Sequence, residues 1–176
     1  MINKIVLTDR DGTLIKEPYG DRLIRIEDIE IYDDTIEALR ILHQNGYSLI
    51  IITNQQGASE KLVEFQGTHQ HVLDLLKPSG IEIIKTYVCP HGPQDNCECR
   101  KPKTKMFEDA ARDLGFNLKD VFMVGDRQTD IEAANKIGAK SIFLNTGLQT
   151  IKPGLADFEV NNMLQAASII IHNSLK

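Results

Sequence analysis

The stretch Lys4-Ile5-Val6-Leu7-Thr8-Asp9-Arg10-Asp11-Gly12-Thr13 decides how the rest of the chain is read. Residues 4–7 have the character of a strand, and two carboxylates, Asp9 and Asp11, follow two positions apart. Alternation along extended backbone sets Arg10 opposite both, and Gly12 lets the chain turn sharply just past them. Two anions placed this way can converge on one divalent cation. Taken alone, an Asp-x-Asp-Gly segment is equally a turn or a calcium loop.

Working outward, short β-branched runs alternate with segments of helical period. Strands are predicted at 4–7, 47–53, 82–88, 121–124 and 141–144. Helices are predicted from a cap at Asp33 or Asp34 to Asn45-Gly46, over 60–77, from a cap at Thr104 to Leu114-Gly115, over 129–137, and from about Asn162. Five strands separated by helices imply a doubly wound parallel sheet, an α/β fold with helices on both faces. Ligand chemistry in such a sheet follows the carboxyl ends of the strands. Asp9 and Asp11 follow the first strand, Thr53-Asn54-Gln55 the second, a cysteine-rich loop with Arg100-Lys101-Pro102-Lys103 the third, and Gly125-Asp126 the fourth. A calcium loop needs its ligands within about twelve residues, so this spread favours a catalytic site over a calcium loop.

The chain has 176 residues, 41% of them hydrophobic and 26% charged, with a formal net charge of -5. It is predicted to form one domain over 1–176, burying roughly 70% of its unfolded surface. The acidic balance and scattered basic residues argue against a nucleic-acid partner. No run approaches the roughly 18 apolar residues that cross a bilayer, and Asp9 interrupts the segment where a signal peptide would have its apolar region. A cytoplasmic location is expected, with no membrane partner, as a monomer or weak homodimer.

All three cysteines lie at 89, 97 and 99. With His91 they supply three thiolates and an imidazole, a set that fills a tetrahedral Zn2+ shell and leaves no position for water. The predicted zinc is therefore structural, stiffening a loop over 89–101 and aiming Arg100 and Lys101. His43, His69, His71 and His172 have no such company and read as surface or satisfied residues. A phosphate dianion repels an approaching carboxylate, so phosphoryl chemistry here requires Mg2+, whose preference for oxygen suits Asp9, Asp126 and a backbone carbonyl near Asp11. Thr53 and Asn54 can donate to phosphoryl oxygens, and Lys101 can neutralise developing charge. Asp130, near a helix start, is either a cap or a site residue.

These stations, in this order, resemble the haloacid dehalogenase superfamily of aspartate-nucleophile phosphatases over residues 4 to about 145. The resemblance implies the Rossmann-like three-layer fold of that superfamily, with Asp9 attacking phosphorus and Asp11 acting as acid, then base. Within it, Asp9-Arg10-Asp11-Gly12-Thr13-Leu14-Ile15, Glu17-Pro18, Ile52-Thr53-Asn54-Gln55, Cys89-Pro90-His91 and Cys97-Glu98-Cys99-Arg100-Lys101-Pro102-Lys103 are similar to a subfamily of histidinol-phosphate and heptose 1,7-bisphosphate phosphatases. Glu17-Pro18, the five residues between His91 and Cys97, and Lys103 lean toward the histidinol-phosphate branch, and so toward histidine biosynthesis. The tail from Gly147 to Asn173 is closer to the heptose branch.

The interval from Thr13 to the helix at 34 has no room for a large cap domain, so a flap over 13–33 and the zinc loop must select the small phosphorylated substrate. Glu17 is the candidate to pair with a cationic substrate end, and Arg100 to meet the substrate beyond its phosphate. The reading from another class is a zinc-stabilised module that binds phosphate without turnover; a nucleophile with its own acid argues against it.

Overall fold

The computed structural model describes residues 4–17 and 25–173. Pro18 and the flap segment 18–24 lie outside the described residues. The elements in chain order are β1 (Ile5–Thr8), α1 (Thr35–Gln44), β2 (Ser48–Asn54), α2 (Leu62–Leu76), β3 (Ile83–Cys89), α3 (Lys105–Leu114), β4 (Val121–Gly125), α4 (Gln128–Ile137), β5 (Lys140–Leu144), β6 (Phe158–Val160) and α5 (Met163–His172). All six strands pair in parallel in the order β3-β2-β1-β4-β5-β6.

The strands alternate their side chains between two cores. Val6, Leu49, Ile51, Phe122 and Val124 pack on one face with Ala38, Leu39 and Leu42 of α1 and Ala166, Ala167 and Ile170 of α5. Ile5, Leu7, Ile50, Ile52 and Met123 pack on the other with Met106, Phe107 and Ala110 of α3 and Ala133 and Ala134 of α4. Burial on both faces explains why β2 reads as an unbroken apolar run. The chain winds outward from β1 through β2 to β3, then crosses back to lay β4 on the other flank of β1. That reversal opens a crevice beyond the carboxyl ends of β1 and β4, where the backbone N–H of Asp9 donates to Val124 O at 2.9 Å.

Three details differ from expectation. The sheet has a sixth strand, β6, whose three residues Phe-Glu-Val are too short for a periodic signal; parallel pairing with β5 creates it. Asp34 is the residue preceding α1, yet its carboxylate accepts from the backbone of Leu164 at 2.9 Å, tying α5 to α1 instead of capping its own helix. Thr104 precedes α3, and its hydroxyl donates to Glu108 at 2.7 Å without capping a backbone N–H. Between β1 and α1 the described residues hold a short 3-10 turn at Ile26–Asp28 and two isolated bridges, which is no large cap.

Candidate active site

At the mouth of the crevice Asp9, Asp126 and Asp130 offer carboxylate oxygens that all lie within 4.8 Å of one another. Asp126 and Asp130 are fully buried and Asp9 nearly so. Two glycines make this convergence sterically possible. Gly12 has φ +79° and would put a Cβ 2.2 Å from Asp126 Oδ2, while a Cβ on Gly125 would fall 2.4 Å from that of Asp130. Thr13 donates its hydroxyl to Asp126 Oδ1 at 2.9 Å, and Asp126 Oδ2 is buried with no hydrogen-bond partner. Burial, reinforced by Asp130 and Asp9, pushes Asp126 up to about 8. Burial likewise raises Asp130, against the lowering effect of Lys101. An orphaned buried oxygen in an all-oxygen donor set fits a hard divalent cation such as Mg2+.

Among the described residues, the cation built into this cluster is Lys101, itself 2% exposed. Its Nζ lies 3.0 Å from Asp9 Oδ1 and 2.6 Å from Asp130 Oδ1, and donates to Ile52 O at 2.7 Å. Burial works against its charge, but Asp130 and Asp9 outweigh that and hold its pKa above the ordinary lysine value. Asp130 makes the contact of a cap and also pairs with the buried lysine. It accepts from the backbone N–H of Arg127 at 3.0 Å, closing the first turn of α4, and it pairs with Lys101.

Asp11 departs from one expectation. Its carboxylate is not among the three that converge; Asp130 stands there instead. Asp11 Oδ2 accepts from Gln55 Nε2, and Oδ1 lies 3.7 Å from Arg10 Nε. Burial raises the Asp11 pKa despite the guanidinium of Arg10. Thr53 and Asn54 sit at the end of β2 as predicted, but their side chains face protein partners. Thr53 Oγ1 accepts from Gln55 Nε2 at 3.0 Å. Asn54 accepts from Lys101 N at 3.0 Å and donates to Lys101 O at 3.3 Å, so it fixes the backbone that carries the lysine.

Glu17 lines the same cleft, of about 700 Å³, together with Asp9, Asp11, Arg100 and Lys101. It is paired with Arg127 across the chain, and burial raises its pKa while Arg127 lowers it. Arg100 also lines the cleft, with Nη1 donating to His91 O at 2.7 Å. Arg127 and Gln55 also line the cleft, and the sequence reading singles out neither. Gln55 had a signal, its place directly after a strand; Arg127 meets Glu17 only through the fold.

Beside the cleft the predicted loop brings Cys89, His91, Cys97 and Cys99 together. The Sγ atoms lie 3.1–3.6 Å apart, and His91 Nδ1 is 3.2 Å from Cys99 Sγ and 3.7 Å from Cys89 Sγ. Zinc–sulfur bonds of about 2.3 Å at tetrahedral angles place sulfurs about 3.8 Å apart, so the donor set fits Zn2+. All three cysteines are free thiols. Gln55 N donates to Cys89 O at 2.7 Å and Gly57 N to Pro90 O at 2.9 Å, which joins the loop to the end of β2.

A family model described as HAD-hydrolase-like matches residues 98–164. The bifunctional histidine biosynthesis protein HisB of Legionella pneumophila (strain Lens) is 36% identical over 140 residues, covering 78% of this chain and 40% of that protein. The chain thus spans about two fifths of the length of such relatives. A Thermoplasma acidophilum protein named a probable D-glycero-D-manno-heptose-1,7-bisphosphate 7-phosphatase is 35% identical over 140 residues, covering 77% of this chain and 86% of that one. The crystal structure of the D,D-heptose 1,7-bisphosphate phosphatase of B. bronchiseptica, complexed with magnesium and phosphate, superposes with a TM-score of 0.85 at 25% identity. It covers 96% of this chain and 98% of its own. Among the described residues no helix is long and apolar enough to cross a membrane.

Proposed function

The chain belongs to the haloacid dehalogenase superfamily, in the branch shared by histidinol-phosphate and heptose 1,7-bisphosphate phosphatases, and on that basis we propose that it hydrolyses a small phosphomonoester in two steps on Asp9. The observation that carries this reading is Lys101 Nζ, buried and 3.0 Å from Asp9 beside a three-carboxylate cluster. A binding module has no use for a buried nucleophile with its own counter-ion.

In the first step a carboxylate oxygen of Asp9 attacks phosphorus, the bond to the leaving oxygen breaks, and Asp11 gives that oxygen a proton. In the second, Asp11 takes a proton from water as the water attacks phosphorus, freeing phosphate and Asp9. Asp9, Asp126 and the backbone near Asp11 would hold Mg2+, with Asp130 close by; the ion supplies charge neutralisation for the phosphoryl oxygens. Lys101 holds Asp9 in place and faces the charge that develops in the transition state. Cys89, His91, Cys97 and Cys99 would hold a structural Zn2+ that fixes the segment preceding Lys101.

For the substrate we propose histidinol phosphate, on the likeness to HisB and on the half-buried carboxylate of Glu17 beside the catalytic aspartates. One observation favours heptose 1,7-bisphosphate as a second reading. Arg127 already engages Glu17, and Arg100, Lys103 and Lys136 add positive charge along the cleft, which suits a second phosphate. Steady-state kinetics on both esters with Mg2+ tests this. A kcat/KM for histidinol phosphate about 100-fold above the sugar bisphosphate, about 2.7 kcal/mol, supports the first reading. The reverse ratio selects the second, and turnover of neither ester contradicts both.

A further inference from the structure

We infer that Arg127 is a positioning residue that acts through Glu17: it cancels the carboxylate that the flap arm carries into the cleft, and so lets a phosphate dianion settle at Asp9. The inference rests on the phosphomonoesterase reading of the same site.

Glu17 and Arg127 come from separate parts of the chain, each on backbone that is held in place. Ile15 forms an antiparallel bridge with Ile31 and Lys16 N donates to Glu30 O at 2.7 Å, so the arm that carries Glu17 is paired at its base. Arg127 is the residue preceding α4, and its own N–H is given to Asp130 Oδ2 at 3.0 Å. Its Nη2 donates to Glu17 Oε1, and among the described residues this is the ion pair that Glu17 makes. Neither side chain is open to solvent on all sides, with 20% of Glu17 and 40% of Arg127 exposed.

The surroundings of Glu17 are anionic. It lines one cleft with Asp9 and Asp11, and their charges add to the effect of burial in raising its pKa. Burial weighs against the charge of Arg127, but Glu17, Asp126 and Asp9 together hold its pKa above the ordinary arginine value. A phosphate dianion at Asp9 is repelled by an uncancelled carboxylate on the same cleft wall. The other cations of the cleft are engaged elsewhere. Arg100, Lys103 and Lys136 give protons to the carbonyls of His91, Cys97 and Pro102, which leaves Glu17 to Arg127.

Charge counting separates this role from two others, a direct contact of Arg127 with the anion and a simple brace for the flap. Removing both members of the pair leaves the net charge of the cleft as it was, whereas removing one shifts it by a unit. A direct contact or a brace is lost in the double variant as fully as in Arg127→Gln.

Calorimetric titration of the Mg2+-loaded protein with inorganic phosphate reads the difference. Phosphate has no cationic end for Glu17 to bind, and the fitted stoichiometry keeps an unfolded fraction out of Kd. Arg127→Gln should weaken phosphate about fivefold or more, an effect moderated by solvent around a partly exposed pair. Arg127→Lys, which keeps the charge, should stay within about threefold of the parent. Glu17→Gln leaves Arg127 unpaired and should tighten phosphate about twofold or more, and Glu17→Gln with Arg127→Gln should return to within about twofold of the parent. Equal weakening in Arg127→Gln and the double variant, or no weakening in Arg127→Gln, would overturn the inference. If Arg127→Gln does not fold, Glu17→Gln decides alone, and phosphate bound no more tightly than by the parent contradicts the cancellation. A parent protein that binds no phosphate in Mg2+ contradicts the phosphomonoesterase reading itself; a parent that binds it, with variants that all bind alike, contradicts only the role of Arg127.

Discussion

The two clusters of groups proposed to hold metal ions are built in opposite ways. Asp9 and Asp126 follow the central strands β1 and β4, Asp130 sits in the first turn of α4, and all three are buried where the sheet and its helices hold them. Cys97 and Cys99 are partly buried on a loop, while Cys89, the last residue of β3, is fully buried. The first cluster crowds three carboxylates into buried space, which leaves Asp126 Oδ2 without a hydrogen-bond partner and pushes the Asp126 pKa up. The second stands at the edge of the core, with Cys89 inside it and Cys97 and Cys99 packed against it from a loop. On the proposed reading, a cation at the carboxylates would serve charge and one at the cysteines would serve shape.

The largest expected effect falls on the buried ion pairs. Lys101→Met removes the charge facing both Asp9 and Asp130 and should destabilise the chain by about 3–5 kcal/mol in denaturant unfolding, because two carboxylates lose their partner. Turnover should drop by about 100-fold or more. A variant as stable as the parent would show that the carboxylates do not depend on the lysine, and would break the contrast.

Stripping zinc should act more locally. Metal analysis of protein purified without chelator is expected to give about one zinc per chain. Removing it should speed amide exchange over 89–100 while β1 and β4 stay protected, and should lower activity through the displaced Lys101. Fewer than one zinc per chain, or loss of protection throughout the sheet, would contradict the division between charge and shape.

The smallest effect lies outside both clusters, at His69 on α2. Its ring stacks on Phe65, its Nε2 meets Thr86 Oγ1 at 3.0 Å, and burial, helped by Arg10, lowers its pKa to about 4. The folded value lies below the unfolded value of about 6.5, so the unfolded chain binds the proton more readily. Stability from the neutral ring is full above pH 6.5 and is lost as pH falls toward 4. His69→Gln should flatten the decline in melting temperature over that interval; an unchanged slope would assign the acid sensitivity elsewhere.

Much of this arrangement was legible in the sequence because parallel sheets put their chemistry at strand ends. Asp9, Asp126 and Lys101 come together as their places after β1, β4 and the cysteine loop imply, and the spacing of Cys89, His91, Cys97 and Cys99 carries its own geometry. What escaped depends on contacts between distant segments. The Glu17–Arg127 pair spans 110 positions and leaves no local pattern. Asn54 has the chemistry of a phosphate donor, and nothing in the sequence shows that its amide also accepts from Lys101 N and gives one of its two N–H groups to Lys101 O. Asp130 could not be assigned from its place near a helix start, since capping and ion pairing ask for the same carboxylate. β6 is three residues long and exists only because β5 offers it an edge.

The central claim is that Asp9 carries the phosphoryl group. Rapid acid quench during turnover, borohydride reduction of the trapped acyl phosphate and peptide mass spectrometry test it directly. Homoserine at position 9, absent from Asp9→Asn and from protein quenched without substrate, is the predicted result. Reduction at Asp11 or Asp126 instead, or continued turnover by Asp9→Asn, would contradict the account.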